Sequence, residues 1–327
     1  MNLKSWIPTL LKLAFAGGLI YWLVATDRFQ ISELRDFLTI QNILIGLMIL
    51  SVHMIIITER WRQLLISQGI KLSVFQAWKL SHVGLFFSFA VPGGVGGDVM
   101  KAFLLQKDFH AKRSVAYSSA LVDRLLGLYS FVIMALGGLF LEIQTQSLQI
   151  DLLGKLMNWL LILFFLLSIG ILAVIKIHLP KDFEHQQGLR SKIYRFKQAC
   201  RHYLIKPWLV TKCILITMAA QTVTICFFYW FFRFVMNQPA DWPLLFFAVP
   251  LGFMLMAVPL TPAGIGIGQA AFFFLFDKFS LGAIQSGSAA ITAFQLVLFA
   301  WGIVGAIYFL FRKIPITSAA ADEAKNS

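Results

Sequence analysis

Apolar residues run in long unbroken stretches along this chain. Those at 7–25, 40–58, 115–141, 153–177, 210–234 and 284–311 each reach the roughly 17 to 25 residues that a membrane-spanning helix needs. Two further apolar segments, 78–105 and 242–276, are interrupted, the first at Pro92 and the second at Pro259 and Pro262. The first interruption, AVPGGVGGDVMKAFLLQK from Ala90 to Lys107, cannot continue a smooth helix. Pro92 lacks an N–H and clashes with the preceding turn, while Gly93, Gly94, Gly96 and Gly97 each weaken helix by about 1 kcal/mol. At membrane depth, irregular backbone is tolerated only where protein covers it or where it lines an aqueous cavity. The break is therefore either a packing kink or the lining of a passage.

Loop charges orient the segments, because basic loops stay on the cytoplasmic side. Arg60, Arg62, Lys71 and Lys79 precede the first broken segment, and Lys101, Lys107, Lys112 and Arg113 lie at or after its end, whereas Glu142 and Asp151 dominate the next loop. The first broken segment is thus expected to be a re-entrant hairpin from the cytoplasmic side. Three spans later the second enters from outside, with both termini cytoplasmic. Interrupted segments of opposite orientation are what an inverted repeat produces, and such repeats place transporter sites near the midplane. Pro92-Gly-Gly-Val-Gly96 and Pro262-Ala-Gly264-Ile-Gly266 align at a separation of 170, while Asp98 to Gln269 and Arg124 to Gln295 are both 171 positions apart. The expected architecture is all-α and polytopic: about six full spans plus two broken hairpins in a single domain over 1–313. Repeat one covers about 40–141 and repeat two about 210–312. Between them a linker at 178–208 carries Leu189, Ile193, Phe196, Cys200, Tyr203 and Leu204 at helical spacing among bases, a basic amphipathic helix suited to an anionic leaflet. The small polar tail, 314–327, is expected to be disordered.

Composition agrees with this pattern: 59% of the 327 residues are hydrophobic and 13% charged, against about 45–50% and 25% in soluble domains. The net charge of +13 is accounted for by basic cytoplasmic loops rather than by nucleic acid. Cys200, Cys213 and Cys226 have neither zinc-site nor disulfide spacing, and neither a metal nor another cofactor is expected. The N-terminal run lacks a small-x-small cleavage site and reads as an uncleaved first helix.

VPGGVGGDVMKAFLL at Val91 to Leu105, VDRLLGL at Val122 to Leu128 and VPLTPAGIGIGQA at Val258 to Ala270 resemble the lysylphosphatidylglycerol synthase transmembrane region, also described as the flippase-like membrane protein family. The resemblance implies a lipid-translocating domain of two inverted repeats. In bifunctional relatives it precedes a soluble aminoacyltransferase domain; here the chain ends 14 residues after Lys313, so aminoacyl transfer is not expected. Lys101 stands where the family usually has arginine, Gln269 where it has glutamate, and Gln295 where it tends to arginine. The second repeat has lost both charges together, as expected if those groups touched, since a buried charge left alone costs about 3 to 5 kcal/mol.

Asp98 reads either as a working acid or as the N-cap of a half-helix beginning at Val99, with Lys101 one turn away at pairing distance. Asp123 and Arg124 lie within an apolar span, where each charge costs roughly 2.5 to 3.5 kcal/mol at the centre, and so must face protein or a polar cavity. The histidines His82 and His53 have no metal-ligand company. The function expected is translocation of a phospholipid or polyprenyl-phosphate headgroup. Lys101 and Arg124 would hold phosphate, Asp98 and Asp123 would orient them or carry a proton, and Gln269 and Gln295 would supply neutral contacts on the outer half. The glycines, with Pro92 and Pro262, would shape the passage. The partners are then that lipid and an anionic lipid at the basic helix; a homo-oligomer is compatible with such a fold. The rival readings are a membrane enzyme on a lipid-linked sugar or phosphate, and a scaffold for an envelope synthesis complex.

Overall fold

The computed structural model describes residues 31–91, 96–145, 150–177, 189–258 and 260–311. The first expected span, the residues Pro92, Gly93 and Gly94 of the first break, Pro259, and the C-terminal tail lie outside the described residues. The described chain is helical: α1 (Ile31–Phe37), α2 (Ile40–Ser67), α3 (Val74–Ala90), α4 (Gly96–Phe109), α5 (Arg113–Thr145), α6 (Ile150–Lys176), α7 (Leu189–Leu204), α8 (Pro207–Trp230, continued by a π turn at Phe231–Val235), α9 (Trp242–Met256), a 3-10 turn at Pro262–Gly264, α10 (Ile267–Phe279) and α11 (Gly287–Phe311). Among the described residues five helices are long and apolar enough to cross a membrane: α2, α5, α6, α8 and α11. The chain is a multi-pass membrane protein.

Local chemistry sets the helix ends. Ser73 and Gln76 form a reciprocal capping box at the start of α3, with Gln76 N–H donating to Ser73 Oγ at 3.1 Å and Ser73 N–H to Gln76 Oε1 at 2.9 Å. The second break is held open by Ala263, Gly264 and Gly266, all at positive φ. Gly264 and Gly266 suit that left-handed backbone, whereas Ala263 at φ 47° tolerates it against its side chain's preference. α4 begins at Gly96 rather than at Val99. Having no side chain, Gly97 lets α4 lie against the backbone of α3, where an added Cβ would stand 2.2 Å from Gly84 O.

A helix, a broken pair and a second helix occur twice, as α2–α5 and as α8–α11, and the packing between the two sets is reciprocal. The first arm of one pair (α3) lies on α11 and the first arm of the other (α9) lies on α5, while α2 lies on α8. Glycines permit both crossings: Gly305 of α11 meets His82 O of α3, and Gly138 of α5 meets the α9 backbone at Phe246 and Phe247. α2 and α8 run antiparallel past each other, since Gln63 bonds Lys212, Arg60 bonds Thr217 and His53 bonds Thr224. The main core lies where the second set meets α5, and is built largely of phenylalanine, including Phe227, Phe228, Phe232, Phe272 and Phe276. Stacked or edge-on rings such as Phe228–Phe272 at 5.0 Å add to the packing by which helices associate in lipid.

The amphipathic helix α7 is formed, but its buried face is Tyr194, Ala199, Cys200, Tyr203 and Leu204, and Ile193 is 51% exposed. Its partners are α5, α6 and α8. Its bases also serve the protein: Arg201 Nε donates to Ile175 O at 2.9 Å and Lys197 Nζ to Ile177 O, satisfying carbonyls at the end of α6 as cationic side chains do.

Candidate functional site

Five ionisable side chains from α2, α4 and α5 meet beside the first break. Asp123 and Arg124 are neighbours on α5, so they project about 100° apart around the helix and take different partners. Asp123 receives Arg60 in a bidentate pair, Nε to Oδ1 at 2.7 Å and Nη2 to Oδ2 at 2.9 Å. The remaining Arg60 nitrogen, Nη1, donates to Thr217 Oγ1 of α8 at 3.0 Å. Both members are buried, with Arg60 9% and Asp123 8% exposed. The loop assignment of Arg60 is thereby corrected. α2 runs on to Ser67, and Arg60 is an interior residue whose charge is matched within the fold.

Arg124 faces α4, where its Nε lies 3.5 Å from Asp98 Oδ2, and both side chains are partly exposed. That separation is long for a hydrogen bond, and the contact is far looser than Arg60–Asp123. Asp98 lies in the first turn of α4 instead of capping it, because the helix starts two residues earlier. Nor does it pair with Lys101. The Lys101 ammonium sits 4.6 Å over the Trp61 ring, with its stem against Gly84, and among the described residues no carboxylate is within ion-pair distance of it. Among the described residues three bases thus face two acids, and the Lys101 charge is met by a π face. Gly96 and Gly97 contribute the close α3–α4 contact that sets this geometry.

At the positions 171 further on, Gln269 and Gln295 also meet: Gln269 Nε2 donates to Gln295 Oε1 at 2.8 Å. The Asp98–Arg124 contact of the first half therefore has a neutral counterpart in the second. Gln269 Nε2 also donates to Thr292 Oγ1 at 3.1 Å, and its Oε1 accepts from Gly266 N–H at 2.7 Å. Gln295 Nε2 donates to Ala263 O at 3.1 Å. Pro262, Gly264 and Gly266 form the turn that these amides clasp to α11. If the pair is a neutral substitute for an ion pair, Gln269→Glu and Gln295→Arg should each lower the melting temperature in detergent. The double variant should be more stable than the two losses predict, by about 1 to 3 kcal/mol of coupling; strict additivity would mean that the introduced charges do not pair.

His82 is 1% exposed, with Nδ1 2.9 Å from Trp78 O and its ring packed on Trp78 at 4.0 Å and Trp301 at 5.5 Å. It is a packing residue of the α3–α11 contact. The residue that sequence reasoning missed is Arg60. Its one signal was its place directly after an apolar run, shared by every topogenic base.

No curated protein and no solved structure matches the chain. The family model for the lysylphosphatidylglycerol synthase TM region matches residues 9–316, and the chain belongs to that family.

Proposed function

We propose that this protein moves the headgroup of a phospholipid or polyprenyl-phosphate lipid between the leaflets of the cytoplasmic membrane, and that Lys101 and Arg124 hold its phosphate. The observation that carries this reading is the unequal division of the charge cluster. Asp123 is committed to Arg60 by two short buried hydrogen bonds, whereas the Asp98–Arg124 contact is 3.5 Å long and the Lys101 ammonium lies over the Trp61 ring. An arriving phosphate can replace Asp98 on Arg124 and gain Lys101 without stripping a buried charge of its partner. Arginine offers the planar fork that grips phosphate oxygens in pairs, and lysine a mobile point charge.

A cleft of about 1270 Å³ between α7 and the start of α5 supports a cytoplasmic entry, for it is lined by Lys112, Arg113, Lys192 and Arg195, with no acid among its described lining residues. Bases at a membrane surface each attract anionic lipid by about 1 kcal/mol. The two helix sets then act as inverted repeats, with α2 and α8 antiparallel at their contact.

Topology is checked by thiol labelling in whole cells. Cysteines at exposed positions 107 and 151 should be respectively resistant and reactive to an impermeant reagent. The partly exposed Cys226 is first replaced by alanine; Cys200 and Cys213 are buried, and burial pushes the Cys200 thiol up to about 11. The function is tested by leaflet exchange of labelled lipid in vesicles containing the purified protein. Exchange above the protein-free rate supports translocation; chemical conversion of the lipid, or no exchange, rejects it.

A further inference from the structure

A second cavity, of about 200 Å³, lies between the two helix sets and is lined from α2, α5, α8, α9 and α11. Phe131, Phe253 and Phe294 supply much of its wall, and His53, Gln221 and Thr224 supply its polar edge. It sits at the meeting of equivalent positions: His53 and Thr224 are 171 residues apart, the separation that relates Asp98 to Gln269, and they touch, Nδ1 to Oγ1 at 2.9 Å. His53 is also one of the two central residues of α2 by count.

The polar edge is incompletely satisfied. Gln221 is 4% exposed, and neither its Nε2 nor its Oε1 has a partner, although buried amides are almost always paired. His53 Nδ1 is 3.0 Å from Ala220 O. A carbonyl can only accept, so Nδ1 carries the ring proton and Nε2 is the ring's acceptor. No charged side chain is among the described lining residues. Such an edge suits neither a phosphate nor an ammonium group. It suits a group that both donates and accepts, which is a hydroxyl.

Its place relative to the charge cluster gives this chemistry a use. Thr217, Gln221 and Thr224 stand at i, i+4 and i+7 on one face of α8, and Thr217 is the residue that receives Arg60 at 3.0 Å. Gln221 is thus one turn, about 6 Å along the axis, from Thr217, whose hydroxyl receives the Arg60 of the charge cluster. We infer that this cavity is a hydroxyl-recognition pocket: it accepts the hydroxyls of a polyol headgroup whose phosphate is held at Lys101 and Arg124, and so selects hydroxylated lipid phosphates over bare ones. The inference rests on the phosphate reading above. Water shares the hydroxyl's chemistry and would occupy the pocket when the lipid is absent.

The test compares binding of dioctanoyl phosphatidylglycerol and dioctanoyl phosphatidic acid to the full chain in detergent, since both carry the phosphate and only one carries the glycerol hydroxyls. Wild type should prefer the glycerol lipid at least tenfold. Gln221→Leu should bring its affinity down to that of phosphatidic acid, whose own affinity stays unchanged. The variant removes an unpartnered amide and should keep its melting temperature; Thr224→Val, which removes the hydroxyl on the same face, serves as the second variant. Lys101→Ala should weaken both lipids alike. Equal affinities in wild type, or a preference that survives both pocket variants, would overturn the inference and leave water as the sole occupant. Loss of the preference in Gln221→Leu with no effect of Lys101→Ala would sustain the pocket and reject the phosphate site. Binding of neither lipid rejects both.

Discussion

Asp123→Leu is expected to destabilise the protein by about 3 to 5 kcal/mol, and Arg60→Met together with Asp123→Leu to recover most of that loss. The reason is the asymmetry of buried ion pairs. The Arg60 guanidinium uses two of its nitrogens on Asp123 and a third on Thr217, and both side chains are buried. Removing the carboxylate alone leaves a buried cation with the Thr217 hydroxyl as its acceptor. Removing both charges in favour of apolar side chains of similar volume is close to neutral in general. Thr217 is not orphaned by the exchange, because its hydroxyl already donates to Cys213 O at 2.7 Å. Thermal unfolding of wild type, both single variants and the double variant in one detergent measures this. A double variant no more stable than the worse single would show that the pair does not account for the cost.

Arg124→Ala is expected to reduce lipid exchange to the protein-free rate while leaving the protein folded. The Arg124–Asp98 contact is half-exposed and loose, and pairs of that kind contribute about 0 to 1 kcal/mol to stability, so the variant should melt close to wild type. The effect on transport should be far larger. A charge-assisted hydrogen bond is worth roughly 1.5 to 3 kcal/mol, which is about ten- to a hundredfold in rate, and Arg124 makes two such bonds if it grips phosphate with its fork. Arg124→Lys retains the charge but not the fork and should lie between wild type and alanine. Lys101→Ala should cost about ten- to a hundredfold by the same figure, since one ammonium is lost from the site. Undiminished exchange by the Arg124 alanine variant would remove it from the lipid path. Lost exchange accompanied by a melting temperature as low as that of Asp123→Leu would make it a structural residue instead.

The two predictions separate residues that the sequence presents as one dipeptide. Asp123-Arg124 in an apolar run announces that charge is buried there, but adjacent residues on a helix face different neighbours. Which neighbours they meet depends on helices that are distant along the chain. Arg60 lies 63 positions from Asp123, and no local pattern ties them. Asp98 shows the same limit in the opposite sense. Its spacing to Lys101 permits a pair within one helix, yet the closeness of α4 to α5 gives it Arg124, and Trp61 of α2 lies under the lysine. Helix α7 was legible as amphipathic and basic. Of its expected apolar face Cys200, Tyr203 and Leu204 are buried, whereas Ile193 is exposed and Tyr194 is buried in its stead, because the helix packs on α5, α6 and α8 together.

Sequence alone determined the membrane-spanning character and the places where the apolar runs are interrupted. These follow from requirements that act locally: hydrocarbon admits long apolar helices, and proline with glycine ends a helix wherever it occurs. The shared separation of 171, taken with the family resemblance, also pointed to Gln269 and Gln295 as partners, and the two amides do bond. Tertiary structure decided what depends on how helices are laid against each other. It sealed Arg60 against Asp123, left Arg124 loosely held by Asp98 and Lys101 over a ring, and enclosed the unpartnered Gln221 between the two sets. The physical reason is that the free energy of a charge or an amide in a membrane protein is set by its nearest polar atoms. In this fold those atoms belong largely to helices far away in the chain.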